Sequence, residues 1–297
     1  MQEQIKQTGS NLIQLLAIEI GNLIKWRPSE IDLLPKSLPK QVTIVGGRGR
    51  MGRWFANFLA LAGHRVNIFD SDDWGQAEKL VADVDLVLVC VPIDCTIETV
   101  QKLSKYLSPQ TALADITSIK APIVEAMLEY HDGAVMGLHP MFGPSIESFS
   151  SQKIVICPGR QEKAFTWFLE LMQNDGARLI FATPEEHDRL MTTVQAIRNF
   201  NTFCFGALLA KESIAIERSL DFASPMYSQQ VAMVQRLFCQ SAPLIVDIML
   251  ATPERSATIS KMSDVFCHLA QLVKQGDRQA LLDEFEAVRE FLALPDE

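Results

Sequence analysis

Val42-Thr43-Ile44-Val45-Gly46-Gly47-Arg48-Gly49-Arg50-Met51-Gly52 is a short apolar run followed at once by Gly47, Gly49 and Gly52 in G-x-G-x-x-G spacing. That spacing is the signature of a dinucleotide-binding turn between a strand and a helix. Gly47 allows the tight turn and Gly49 lets backbone approach a pyrophosphate. Gly52 lets the next helix pack on the strand, so that its first amides, around Arg50 and Met51, face the phosphates. A helical stretch from Trp54 to Ala62, then Gly63 and a second apolar run, Arg65 to Phe69, lead to Asp70, 23 residues after Gly47. An acid there accepts hydrogen bonds from both hydroxyls of an adenosine ribose and repels a 2′-phosphate. Ser71, Asp72 and Asp73 offer no positive charge for a phosphate. The expected cofactor is NAD rather than NADP. The alternative, a glycine turn without a ligand, does not account for strand, turn, helix, strand and acid in that order.

Beyond Asp70 the same alternation continues. Asp85 to Val91 is an uninterrupted apolar run that stops at Pro92, as expected of a parallel strand covered on both faces, and Thr111 to Ile116 repeats it. Val91 and Pro92, at a strand end, join the expected cofactor residues. Helical patterns near 75–82, 94–106, 119–130 and 161–175 alternate with further strand candidates at 134–138, 154–157 and 178–181. The fold class is therefore α/β, a Rossmann-type doubly wound sheet. After residue 182 strand signals stop. Thr183 reads as an N-cap with Pro184, Glu185 and Glu186 in the first turn, and no Gly or Pro follows until Gly206, which predicts a long helix. Further helices are expected near 228–240, 242–251, 256–274 and 277–292. The expected division is an N-terminal helix and linker over 1–40, a nucleotide-binding domain over 41–182 and an all-helical domain over 183–297.

Composition narrows the class. A chain of 297 residues with 48% hydrophobic content can bury two cores, so a soluble globular protein is expected. The formal charge of −9 speaks against a general nucleic-acid or anionic-membrane binder. Apolar residues 12, 13, 16, 20, 23 and 24 suit one face of a packing helix, and polar interruptions there exclude a signal peptide or membrane span. Six cysteines without a C-x-x-C pair read as free thiols in a reducing cytoplasm. Five histidines in no ligand spacing give no metal site, and none is expected.

In an open α/β sheet, ligands bind at the carboxyl ends of strands. Two such ends carry chemistry: Ala114 to Lys120, and Gly137-Leu138-His139-Pro140-Met141-Phe142-Gly143-Pro144. His139 can take a proton from a substrate hydroxyl being oxidised. Ser118 could orient that imidazole and Lys120 could hold an anion. Arg236 interrupts an apolar helix, with Ala232 and Gln240 on its face, and calls for either an internal carboxylate or a substrate carboxylate. His187, at the start of a helix, reads as a surface residue, and His64, His131 and His268 have no context that singles them out.

Taken together, Val45 to Gly52, Ser118-Ile119-Lys120, Gly137 to Gly143, Glu186-His187-Asp188, Ser224-Pro225-Met226-Tyr227 and Met233 to Phe238 resemble, in order from Val42 to Phe291, the prephenate dehydrogenase family. The resemblance is to the dehydrogenase portion of enzymes fused to chorismate mutase. It implies NAD-dependent oxidative decarboxylation of prephenate to 4-hydroxyphenylpyruvate, with His139, Ser118 and Lys120 in the catalytic pocket. It also implies Arg236, Asn199, Gln195 and Tyr227 on the substrate side, and a homodimer through the helical domain. Asn199 stands where the fused enzymes carry a histidine, and Ile245 replaces a tyrosine, which bears on feedback inhibition by tyrosine. Residues 1–40 are too few for the mutase bundle, so mutase activity is not expected. Arogenate dehydrogenase is the alternative enzyme, and an NAD-binding regulator without chemistry is the alternative of another class.

Overall fold

The computed structural model describes residues 38–294. The expected N-terminal helix, and the linker before Leu38, lie outside the described residues. Seven strands form one sheet: β1 (Gln41–Val45), β2 (Arg65–Phe69), β3 (Leu86–Val89), β4 (Ala112–Asp115), β5 (Val135–Pro140), β6 (Lys153–Arg160) and β7 (Arg178–Phe181). Their order is β2-β1-β3-β4-β5-β6-β7. The first five run parallel, β6 turns antiparallel to β5, and β7 runs parallel to β6. The order reverses beside β1, which is where such sheets open a crevice for a nucleotide.

Strand periodicity explains how one sheet builds two cores. Alternate residues point to opposite faces. Val42, Ile44, Leu86, Leu88, Ala112, Ala114, Met136 and Leu138 therefore face one way. They pack on Phe55 and Leu59 of α1 (Arg50–Leu61) and on Phe168 and Met172 of α5 (Thr166–Asn174). Val45, Val87, Val89, Leu113 and Val135 face the other way. They meet α2 (Ala77–Val81), α3 (Ile93–Leu103) and α4 (Ala121–Tyr130) through Val81, Val100, Leu103, Ile123 and Met127. Strands covered on both faces read as the unbroken apolar runs seen in the sequence. The stretch read as a helix near 75–82 begins instead as a 3-10 turn at Ser71–Gln76, because Asp70 and Asp73 cap one another across it.

The described elements after β7 are helical. The predicted long helix is present but interrupted: α6 (Pro184–Met191) passes into a π-helical segment, Thr192–Ile197, before α7 (Arg198–Lys211) resumes. Such widened turns shift side chains off the regular helical face and are frequent at functional sites. There follow α8 (Ile216–Leu220), α9 (Pro225–Phe238), α10 (Ala242–Leu250), α11 (Pro253–Gln275) and α12 (Arg278–Phe291). Thr183, Ser224, Thr252 and Asp277 each cap a helix with a side-chain oxygen. No single helix among the described residues is long and apolar enough to cross a membrane.

Candidate active site

Because β1 to β5 are parallel, their carboxyl ends meet at one edge of the sheet. There the structure collects the glycine turn, Asp70, Cys90 to Pro92, Asp115 to Ser118 and His139.

The glycine turn has the shape a dinucleotide needs. The left-handed residue is Gly46, with φ +77, one position before the glycine expected to make the turn. A Cβ there would lie 2.6 Å from the carbonyl oxygen of Cys90. A Cβ on Gly52 would lie 2.3 Å from the carbonyl oxygen of Gly46, so the helix start and the turn touch backbone to backbone. The first turn of α1 carries no acidic residue and its N-cap, Gly49, supplies no side-chain cap. The amides around Arg50 and Met51 are therefore left for an anion.

Asp70 accepts hydrogen bonds from the amides of Arg48 and Ser71, both at 2.9 Å, which fix its carboxylate at the end of β2. The residues after Asp70 offer no positive charge, yet folding brings the Arg48 guanidinium here, where it pairs with Asp73 at 2.9 Å. That bond holds the Asp73 carboxyl below the ordinary carboxylate range. The cation is thus matched by an acid, and the turn fits NAD.

The second half of the site is a chain of hydrogen bonds. Asp188 accepts from the amides of Lys120 and Ala121, both at 2.8 Å, at the N-terminus of α4, and from His187 Nδ1 at 2.7 Å. His187 Nε2 lies 2.7 Å from His139 Nδ1. A carboxylate can only accept, so His187 must donate from Nδ1 and is left with an accepting Nε2. His139 must then donate from Nδ1, which leaves its Nε2 as an acceptor. That atom meets the side-chain amide nitrogen of Gln195 at 3.1 Å, a donor, as the chain requires.

Burial sets the charges. His139 is 3% and His187 1% exposed. Burial, then the neighbouring His187, Lys120 and Arg255, hold His139 well below the ordinary histidine value. Burial also lowers His187, with the bond to Asp188 opposing it. For Asp188 burial favours the neutral acid, but the His187 bond and the two amides outweigh it and keep the carboxyl low. His139 is therefore a neutral base at neutral pH.

The stretch that carries Gln195 holds polar groups with nothing to bond among the described residues. Gln195 Oε1 and both polar atoms of the Asn199 side chain are buried without a partner among the described residues. Buried amides without partners cost roughly 1–3 kcal/mol each, a cost a polar ligand would relieve. Gln195, which reaches His139, lies within the π-helical segment, and Asn199 follows four residues on, near the start of α7.

Several expected residues fall elsewhere. Lys120 is not open to an anion: it is fully buried, paired with Asp115 and close to Thr117, beneath β5. Ser118 does not orient the imidazole, since both ring nitrogens of His139 are taken by His187 and Gln195. Its carbonyl instead accepts from Arg255, a fully buried arginine that also donates to Ile248. The Tyr227 hydroxyl bonds Ser219 at 2.9 Å and so closes the corner between α8 and α9. Arg236 is exposed on α9 and has no carboxylate partner among the described residues. Its charge instead adds to burial in lowering Arg198. His187, read as a surface residue, is the main correction, and Asp188 and Arg255 were missed. The one sequence signal for His187 and Asp188 was the short polar string Glu186-His187-Asp188 at a helix start, whose partner His139 is 48 residues away; Arg255 had none.

Among the described residues no three His, Cys, Asp or Glu side chains are placed to hold a metal. All six cysteines are free. Burial pushes the Cys157 thiol up to about 12, so it is inert as a nucleophile.

The fold and site define a Rossmann-type dehydrogenase with a helical second part. The chain belongs to the prephenate dehydrogenase family: residues 55–181 match its nucleotide-binding domain and residues 183–287 its dimerization domain. It is 40% identical over 251 residues to the T-protein of Haemophilus influenzae, covering 84% of this chain and 67% of that protein. It is 41% identical over 259 residues to the T-protein of Enterobacter agglomerans, covering 87% and 69%. The fold matches a crystal structure of prephenate dehydrogenase from A. aeolicus in complex with hydroxyphenyl propionate and NAD+, with a TM-score of 0.65 at 18% identity, covering 87% of this chain and 99% of that one.

Proposed function

We propose that the protein oxidises prephenate with NAD, releasing carbon dioxide and forming 4-hydroxyphenylpyruvate. The observation that carries this reading is the unprotonated Nε2 of buried His139, bonded to the side-chain amide of Gln195, whose Oε1 is itself left unpartnered. NAD in the glycine turn would supply the hydride acceptor. The ring hydroxyl of the substrate displaces the Gln195 amide from His139 Nε2 and gives its proton to that atom as the hydride leaves. The ring carboxylate then departs as carbon dioxide, its bonding pair aromatises the ring, and the phenol oxygen takes the proton back. No net proton is consumed or released, so His139 is restored in each cycle.

Asp70 would hold the ribose hydroxyls, with Val91 and Pro92 lining the crevice. Arg236 would bind a substrate carboxylate. The internal carboxylate that could have claimed it is absent among the described residues, and Arg198 adds a second positive charge to the same region. Replacing Arg236 with Ala should raise KM for prephenate about tenfold or more, because a charge-assisted contact is worth roughly 1.5–3 kcal/mol. An unchanged KM would leave Arg236 outside the substrate site. Lys120 and Ser118 support the pocket from beneath rather than touch substrate.

The division at residue 182 is proposed as the boundary between the nucleotide-binding and helical parts. A homodimer through the helical part is supported by its exposed large apolar side chains, among them Phe222, Met226, Leu250 and Phe291, whose burial against a second copy would be favourable. Sedimentation at the mass of one chain would exclude it. A reducing cytoplasm suits six unpaired thiols.

The functional test is NADH formation by the purified protein with prephenate and with arogenate in parallel, with and without tyrosine. Turnover of arogenate alone would transfer the assignment to that substrate. NADH binding with neither turnover would make the protein a nucleotide-binding regulator.

A further inference from the structure

We propose that His187 and Asp188 form a proton relay behind His139, so that the proton taken from substrate is held on His187 until the product needs it. The inference rests on the oxidation proposed above. It starts from the two 2.7 Å contacts that join His139 to His187 and His187 to Asp188 in one line. Hydrogen bonding alone fixes the tautomers, and the direction of transfer follows from them.

When the substrate O–H proton arrives at His139 Nε2, that ring would carry two N–H groups and a positive charge. Its surroundings resist this. The charged groups facing it are Lys120, from under the strand, and Arg255, from the N-terminus of α11, both positive. The Lys120 charge is itself paired with Asp115, further into the sheet. The Nδ1 proton of His139 already points at the lone pair of His187 Nε2. Its transfer returns His139 to a neutral ring, now protonated at Nε2, and makes His187 the imidazolium.

The same two charges, Lys120 and Arg255, also act on His187, but its Nδ1–H is bonded to the Asp188 carboxylate, which opposes them and makes His187 the better holder. That carboxylate is itself pinned by two amides at a helix N-terminus, where a negative charge is favoured. Such a carboxylate both orients an imidazole and stabilises the cation that forms on it. Reversing the two transfers delivers the proton to the phenol oxygen once carbon dioxide has left. His187 and Asp188 touch no reacting atom in this scheme, so they are positioning residues.

The test uses His187→Gln, whose carbonyl oxygen can still accept from His139 Nδ1 but cannot take a proton. Expected are a fall in kcat of about 10- to 100-fold, with KM for prephenate and Kd for NADH within about twofold of the parent. The single-turnover rate in mixtures of light and heavy water should show two moving protons in the parent and one in the variant. A parent-like kcat in His187→Gln, or an unchanged proton count, would overturn the relay.

An independent readout is 15N NMR of the histidines in the free parent protein during acidification. The relay requires the first added proton to appear on His187 while His139 stays neutral. A first proton on His139 would overturn it, whatever the variant does. Absence of NADH formation by the parent would instead sink the oxidation reading and leave the NMR titration to decide where the proton rests.

Discussion

Replacing His139 with Asn should lower kcat by about 10² to 10⁴-fold, the range expected for loss of a general base, with Kd for NADH nearly unchanged. The asparagine can still accept a hydrogen bond from the substrate hydroxyl but cannot remove its proton, so binding survives and chemistry does not. The pH profile provides the matching check. Only a ring with a free Nε2 is a base; a proton on either histidine of the pair removes that lone pair, and burial holds both below the ordinary 6.5. In the parent, kcat/KM should stay level as pH falls through 6.5 and decline only further down; in His139→Asn that acid limb should vanish. An acid limb centred at or above 6.5 would contradict the buried geometry. The same depression has a thermodynamic sign. Unfolded histidines take up protons below about 6.5 that native His139 and His187 refuse, so their contribution to stability is intact above that pH and is lost as pH falls below it.

Gly52→Ala should raise Kd for NADH by about 10- to 100-fold, since overpacking at a rigid contact costs roughly 1–3 kcal/mol. The added methyl would sit 2.3 Å from the carbonyl oxygen of Gly46 and 2.8 Å from the Cα of Gly47. Both are backbone atoms, so no side chain can swing aside. Helix α1 must move away from the turn, and its amides then lose their aim at the phosphates. The Tm should fall by a few degrees, while a circular dichroism spectrum like that of the parent would show that the sheet persists. A parent-like Kd would mean that the phosphates are not bound at this turn.

The two substitutions strike the halves of the site that differed in legibility. The nucleotide half was readable because it is local. Gly47, Gly49, Gly52 and Asp70 lie within one strand-turn-helix-strand unit, and each answers a backbone or charge requirement that recurs wherever such a unit is built. Even there the place of the Arg48 side chain was not legible, since its pairing with Asp73 spans 25 residues and depends on how β1 and β2 lie side by side. His139 was readable from its place at a strand end. Lys120 was not: Gly137 and Asp115 come from neighbouring strands, and only their adjacency makes a buried slot for an ammonium group.

His187 shows the limit most clearly. In sequence it follows two glutamates and precedes an aspartate, a composition that describes a solvated first turn. In the structure Thr183 caps that turn, Glu185 and Glu186 stay outside, and His187 turns inward to 1% exposure. Its neighbour Asp188 meets the start of α4, and this contact brings the helix to the sheet edge where His139 waits.

The amino-acid sequence by itself determined the doubly wound sheet, the helical second half, the cofactor turn and the histidine at the strand end. Those features follow from periodicity, backbone freedom and residue chemistry over short distances along the chain. The tertiary structure alone decided which nitrogen of His139 is the base, what neutralises Lys120 and Arg48, and which buried amides are left unpartnered. The reason is physical: hydrogen-bond direction, desolvation and charge pairing depend on neighbours across space. Those neighbours come from segments that only the packed chain brings together.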